Sequence, residues 1–146
     1  MTVARPRDRM RGVIADKLAE IPLFASLSKR EREQVARAAD EVEVDAGKHL
    51  AEQGQFAYEF MAIEEGTADV LKDGEKLREL GPGDFFGEIG LLEAERRTAT
   101  VVATSPMRLI VIFGPNLRSL EREMPQLSEQ LRKAIRERLG GAPSDA

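Results

Sequence analysis

Cysteine and tryptophan are missing from this 146-residue chain, and His49 is its single histidine. Without cysteine there is no disulfide, thiolate nucleophile, zinc ribbon or iron–sulfur cluster. With one imidazole, a metal site built on several histidines is excluded within the chain, and serine–histidine catalysis has one base to draw on. No run approaches the ~20 apolar residues that a membrane-spanning helix needs. The first apolar stretch after the basic N-terminus is broken by Asp16, Lys17 and Glu20, so no signal peptide is expected. Basic residues number 22 against 26 acidic, a net charge of −4. That balance argues against a nucleic-acid binder, whose footprint is a basic surface. The remaining composition, 42% hydrophobic and 33% charged, is that of one soluble domain, and a cytoplasmic location is the expectation.

Residues 1–11 form a basic tail with Arg5, Arg7, Arg9 and Arg11 around Pro6, and residues 140–146 read as a second tail after a glycine stop signal. Both are expected to be flexible, leaving 12–139 as the domain. Val13, Ile14, Leu18 and Ile21 have a helical spacing that Pro22 ends or bends. Ser28 with Glu31 is the spacing of a capping box, so a second helix starts there. From Asp40 the pattern changes. Glu41 to Asp45 alternates polar and apolar residues, the mark of a half-buried strand. Glycines at 47, 54, 66, 74, 81 and 83 then separate short apolar segments, which suggests a sandwich or barrel over about 41–113. Asp73-Gly74 is a two-residue hairpin signal, because a type I′ turn needs positive φ at both central residues. Helices return over about 115–139. Pro125 suits a first helical turn, and Leu127, Leu131, Ile135 and Leu139 form one apolar stripe along about 20 Å. The stripe packs on the strands, covers a ligand, or meets a second subunit.

The segment that carries chemistry is Gly83 to Val101. Gly87 and Gly90 flank Glu88 and Ile89, and glycine lets backbone N–H groups approach a ligand closely. A helix starting there would be an anion site, and Arg97 adds a guanidinium fork for a phosphate. Glu88 is wrong for phosphate but suits a sugar hydroxyl. Phosphate at one end and ribose at the other describe a nucleotide. A plain turn, with Arg97 paired to Glu93 or Glu95, is the other reading that composition leaves open.

The run Phe86-Gly87-Glu88-Ile89-Gly90-Leu91-Leu92, followed by Arg97-Thr98-Ala99-Thr100-Val101, resembles the phosphate-binding cassette of the cyclic nucleotide-binding domain family. Pro22-Leu23-Phe24 with Leu27 is similar to the family's opening motif. Gly47, Gly54, Phe60, Gly66 and Val70 fall where its β-roll has turn glycines and core residues. Leu80 to Phe85 resembles the lead-in to the cassette. The resemblance implies a double-stranded β-helix, a jelly-roll-like β-roll of eight strands with N-terminal helices and a C-terminal helix. It implies that Glu88 bonds the ribose 2′-OH and that Arg97 holds the cyclic phosphate, helped by backbone N–H groups near Gly87, Ile89, Gly90, Thr98 and Ala99. Thr98 leaves cAMP and cGMP both open. Arg96 stands where many members have proline, Gly90 replaces a common alanine, and Gln55 replaces a common acidic residue in a turn.

The implied function is a stand-alone sensor that binds cAMP or cGMP without altering it and needs no metal or other cofactor. Its signal would pass through a shift of the C-terminal helix to an effector protein or into self-association. Leu131 and Ile135, or Arg132 and Arg136, would close over the base. Three other readings fit the residues less well. A cupin-like metal site lacks histidines. Nucleotide hydrolysis lacks a second group to act with Glu88. A DNA-binding regulator would carry a helix-turn-helix after the long helix, where seven residues follow Leu139, so neither nucleic acid nor membrane is an expected partner. The fourth, and the serious rival, is a degenerate fold serving as a protein–protein interaction module without nucleotide.

Overall fold

The computed structural model describes residues 15–55, 59–87, 97 and 99–141, with side chains to residue 133. The expected tail 1–11 lies outside these residues. Residues 15–18 are helical and are followed by α1 (Pro22–Ala25) and α2 (Lys29–Arg37). Among the described residues eight strands come next: β1 (Ala39–Val44), β2 (His49–Ala51), β3 (Glu59–Glu65), β4 (Ala68–Lys72), β5 (Glu75–Leu80), β6 (Phe85–Phe86), β7 (Thr100–Ala103) and β8 (Met107–Phe113). Helices α3 (Gly114–Glu123) and α4 (Pro125–Gly141) close the chain's described part. The strands form two antiparallel four-stranded sheets, ordered β1-β8-β3-β6 and β2-β7-β4-β5.

The central strands β3 and β8 explain why the core is double. Along β8, Met107 and Leu109 point between the two sheets while Ile110 and Ile112 point to the helices. Along β3, Met61 and Ile63 join the first set and Phe60 and Ala62 the second. A strand covered on both faces needs apolar residues at every position, hence the nearly continuous runs Phe60–Ile63 and Leu109–Ile112. Between the sheets lie Ala51, Val70, Leu80, Phe86, Ala99 and Val101. On the outer face of the first sheet sit Leu18, Phe24, Leu27, Leu117, Leu127 and Leu131 from the helices. Phe24 packs edge-on against Phe60 with ring centroids 6.1 Å apart, and Phe60 lies 5.7 Å from Phe85.

Local signals act as read. The Ser28 hydroxyl accepts from the Glu31 N–H at 3.1 Å, and the Glu31 carboxylate accepts from the Ser28 N–H at 2.8 Å, completing the capping box. Asp73 and Gly74 have φ of +53° and +82° between paired Lys72 and Glu75, the type I′ hairpin. Three details differ. Pro22 is the first residue of α1 rather than the end of the preceding helix, because its fixed φ suits that position and its missing N–H costs nothing there. The alternation in β1 breaks at two residues: Val42 is 38% exposed, while Glu41 turns inward. β1 is a sheet edge, the interior cluster reaches Val44 but not Val42, and Lys17 supplies Glu41 with an ion pair. Finally, α4 runs to Gly141, two residues past the Leu139 boundary, a difference within ordinary fraying of helix ends.

Candidate functional site

Arg97 is a buried charged residue, 6% exposed. Its guanidinium Nη2 donates to the Glu59 carbonyl at 2.6 Å, at the start of β3. Its backbone is held from the other side. The Arg97 N–H donates to the Gln55 carbonyl at 2.7 Å, and the Gly54 N–H donates to the Arg97 carbonyl at 3.0 Å. The two-way tie fixes where the side chain starts, and the Glu59 carbonyl fixes where it ends. A cation enclosed this far must keep its donors engaged, since a buried charge without partners is costly.

Gly87 completes the enclosure. It follows β6 with φ of +98°, a conformation that side-chain-bearing residues rarely adopt. A Cβ at this position would sit 2.4 Å from Arg97 Nη1 and 2.7 Å from the Glu59 carbonyl. The guanidinium therefore lies against bare backbone, at the point where the chain leaves the sheet for the segment 88–96. Ala99, the next described residue after Arg97, is fully buried between the sheets beside Val101 and Phe86. Of the expected site residues, Gly87, Arg97 and Ala99 are thus placed, and the first two are brought into contact. Glu88, Ile89, Gly90 and Thr98 lie outside the described residues.

Of the expected lid residues, Leu131 and Arg132 have described side chains. Leu131 is fully buried with Leu127, Leu18, Ile21 and Phe24 in the helical core, a different cluster from the one holding Ala99. In this arrangement Leu131 does not belong to the Arg97 site. Arg132 is exposed and donates to the Ser128 hydroxyl at 3.3 Å. The side chains of Ile135 and Arg136 lie outside the described residues. The positions that sequence reasoning missed are those that act through backbone atoms: the carbonyls of Gln55 and Glu59 and the N–H of Gly54. Gly54 was legible only as a turn.

A profile of the cyclic nucleotide-binding domain matches residues 41–123, more than half of the sequence. The chain belongs to the cyclic nucleotide-binding domain family. It is 31% identical over 128 residues to a cyclic nucleotide-gated potassium channel of Rhizobium etli, a match covering 88% of this chain and 36% of the channel. The cyclic nucleotide-binding fold recurs in the regulatory domain of Toxoplasma gondii PKA crystallised with cAMP, with a TM-score of 0.80, 23% identity, and coverage of 90% of this chain and 51% of that one. It recurs equally, with a TM-score of 0.80 and 24% identity, in the regulatory subunit of a cAMP-independent protein kinase A from Trypanosoma brucei, covering 88% of this chain and 46% of that one. This chain thus spans about a third of the channel's length and about half of each solved chain. Both likenesses are of fold, and a fold does not by itself state what a domain binds.

Two concavities are lined by neither Arg97 nor Gly87. One of about 650 Å³ is bordered by Glu43, Asp45, Lys48, Glu65 and Arg108. Arg108 is held there by Glu43 and Glu65, both at 2.9 Å, so its charge is already answered. The other, about 280 Å³, lies beside Lys17, Ile21, Ile63, Glu64 and Pro82. Lys17 reaches Glu41 at 2.8 Å and Glu64 at 3.1 Å, tying the helical residues 15–18 to the sheet. A bulge in β3 between Ile63 and Glu65 lets Glu64 turn to this side. Burial, with the neighbouring Glu41 carboxyl, pushes Glu64 up to about 7. Burial would raise Glu41 too, but hydrogen bonds from Glu64 and Lys17 outweigh it and hold Glu41 below its ordinary value. Among the described residues no helix is long and apolar enough to cross a membrane, and no group of three histidine, cysteine or acidic residues is arranged for a metal.

Proposed function

We propose that this chain binds a 3′,5′-cyclic nucleotide reversibly and passes the event on as a shift of α4. The observation that carries the proposal is the enclosed Arg97, aimed at glycine backbone at the head of the cassette. A singly charged cyclic phosphate matches one guanidinium fork plus backbone N–H groups. Glu88 then takes the ribose 2′-OH, and Ile89, Gly90, Thr98 and Ala99 line the phosphate side. The base is adenine or guanine. No residue here has a catalytic task, and the ligand leaves unaltered.

Coupling to α4 has a material route. Phe85 and Phe86 immediately precede Gly87. Phe86 is packed between the sheets, and Phe85 contacts Phe60, which contacts Phe24. Phe24 shares its cluster with Leu127 and Leu131 of α4. Movement at the cassette is therefore felt by the helical core. A lid made from Leu131, Ile135, Arg132 or Arg136 requires α4 to leave its present packing. The ligand drives that only by binding the closed state better than the open one. The receiver is an effector protein or a second copy of the chain.

The test is unfolding calorimetry without ligand and with cAMP, cGMP or 5′-AMP, on the wild type and on Arg97→Lys, which keeps the charge and loses the fork. Ligand at 100 times its Kd adds ~2.7 kcal/mol, a midpoint rise of roughly 5–10 °C for a domain of this size. A rise with one cyclic nucleotide, absent with 5′-AMP and reduced in the variant, is the expected result. No rise with any of them overturns the reading and leaves the interaction module.

A further inference from the structure

Three consecutive residues after β2 connect Arg97 to a distant hairpin. Gly54 and Gln55 hold the Arg97 backbone, as described. Gln53, next to them, holds the hairpin. Its side-chain Nε2 donates to Asp73 Oδ1 at 2.9 Å, and its Oε1 accepts from the Asp73 N–H at 2.9 Å. The Gln53 N–H donates to the Thr100 hydroxyl at 3.0 Å, three residues after Arg97. Asp73 is the first central residue of the type I′ turn, so the direction of its N–H is set by the hairpin backbone. One amide thus reads two atoms of a rigid turn across twenty residues of sequence.

The energetic argument favours a role in geometry. Gln53 and Asp73 are exposed, and hydrogen bonds at an exposed surface add little to stability because water replaces them readily. A bidentate pair does restrict orientation, since both bonds hold only in one setting of the turn. Gly54, at φ of +88°, lets the turn close, with the Gln55 N–H donating to the Glu52 carbonyl at 3.1 Å. We propose that the Gln53–Asp73 clamp is a positioning element for Arg97, setting the affinity of the phosphate site through the turn 53–55. It rests on the nucleotide reading only for what Arg97 is positioned to do.

The experiment has two arms. In the ligand-free chain, hydrogen exchange of the Arg97 amide is followed by NMR in the wild type, Gln53→Ala and Asp73→Asn. In the second arm, cAMP and cGMP affinities of the same three proteins are measured by titration calorimetry. The Asn variant keeps an acceptor for Gln53 Nε2 and tolerates positive φ, so it is the rescue. The expected result is at least tenfold faster exchange at Arg97 in Gln53→Ala, with amides of β3 and β8 unchanged. Affinity falls three- to tenfold, and Asp73→Asn behaves as wild type in both arms. Unchanged exchange at Arg97 in Gln53→Ala overturns the positioning role. So does unchanged affinity in a wild type that binds. A wild type that binds neither nucleotide refutes the nucleotide reading instead, while the exchange arm still decides whether the clamp holds Arg97.

Discussion

Replacing Glu64 by glutamine should make the protein more stable at pH 8 and remove most of its loss of stability between pH 5 and pH 8. In the folded chain the Glu64 side chain is 5% exposed and shares Lys17 with Glu41, so two carboxylates answer one ammonium. Its pKa moves from 4.5 to about 7. The folded state therefore holds this proton more tightly than the unfolded state. Its contribution is complete below about 4.5 and is lost as pH rises through about 7. Glu41 has the opposite sign: its lowered value adds stability above its ordinary value and loses it on acidification. Moving one carboxyl from 4.5 to about 7 is worth at most about 3 kcal/mol. Lys17 is 28% exposed, and solvent screening there reduces the figure to about 1–2 kcal/mol. That is a relative shift of roughly 3–6 °C in Tm. Scanning calorimetry at pH 5, 6, 7 and 8 on wild type and Glu64→Gln reads the difference. His49, exposed beside Glu52, is present in both proteins, and Arg108 stays charged throughout, so their effects cancel. The wild-type midpoint should fall relative to the variant as pH rises. Parallel curves would refute the argument, showing that Glu64 keeps an ordinary carboxyl in the folded state.

Two glycines test the tightness of opposite ends of the roll. Gly87→Ala places a methyl 2.4 Å from Arg97 Nη1 and 2.7 Å from the Glu59 carbonyl, at φ of +98°. It should cost about 1–3 kcal/mol and lower cyclic-nucleotide affinity more than tenfold, read by calorimetric titration of the folded fraction. An alanine protein with wild-type affinity would mean that Arg97 is not held at Gly87. Gly66→Ala meets the Pro106 carbonyl at 2.4 Å and Met107 Cγ at 2.8 Å, also at positive φ. A loss of about 2–4 kcal/mol is expected in denaturant unfolding, with affinity per folded molecule unchanged.

Local devices were legible because their partners are neighbours in sequence. The Ser28–Glu31 box, the Asp73-Gly74 hairpin and Pro125 at a helix start each need only a few residues to be recognised. The contiguous glycine–arginine segment was legible for the same reason. Glu41 was misread because alternation assumes one wet face, and an edge strand with an opposing lysine breaks that assumption.

The sequence by itself determined the fold class, the eight strands, the family and the identity of Arg97 as the phosphate candidate. Tertiary structure alone decided how Arg97 is held and which core each leucine serves. The carbonyls of Gln55 and Glu59 grip Arg97 from about forty residues away in the chain, and backbone carbonyls leave no mark on residue type. The stripe Leu127–Leu131 was visible as amphipathic, but amphipathicity states that a face is buried and not against what. Packing against α1 and the first sheet assigned it to the helical core.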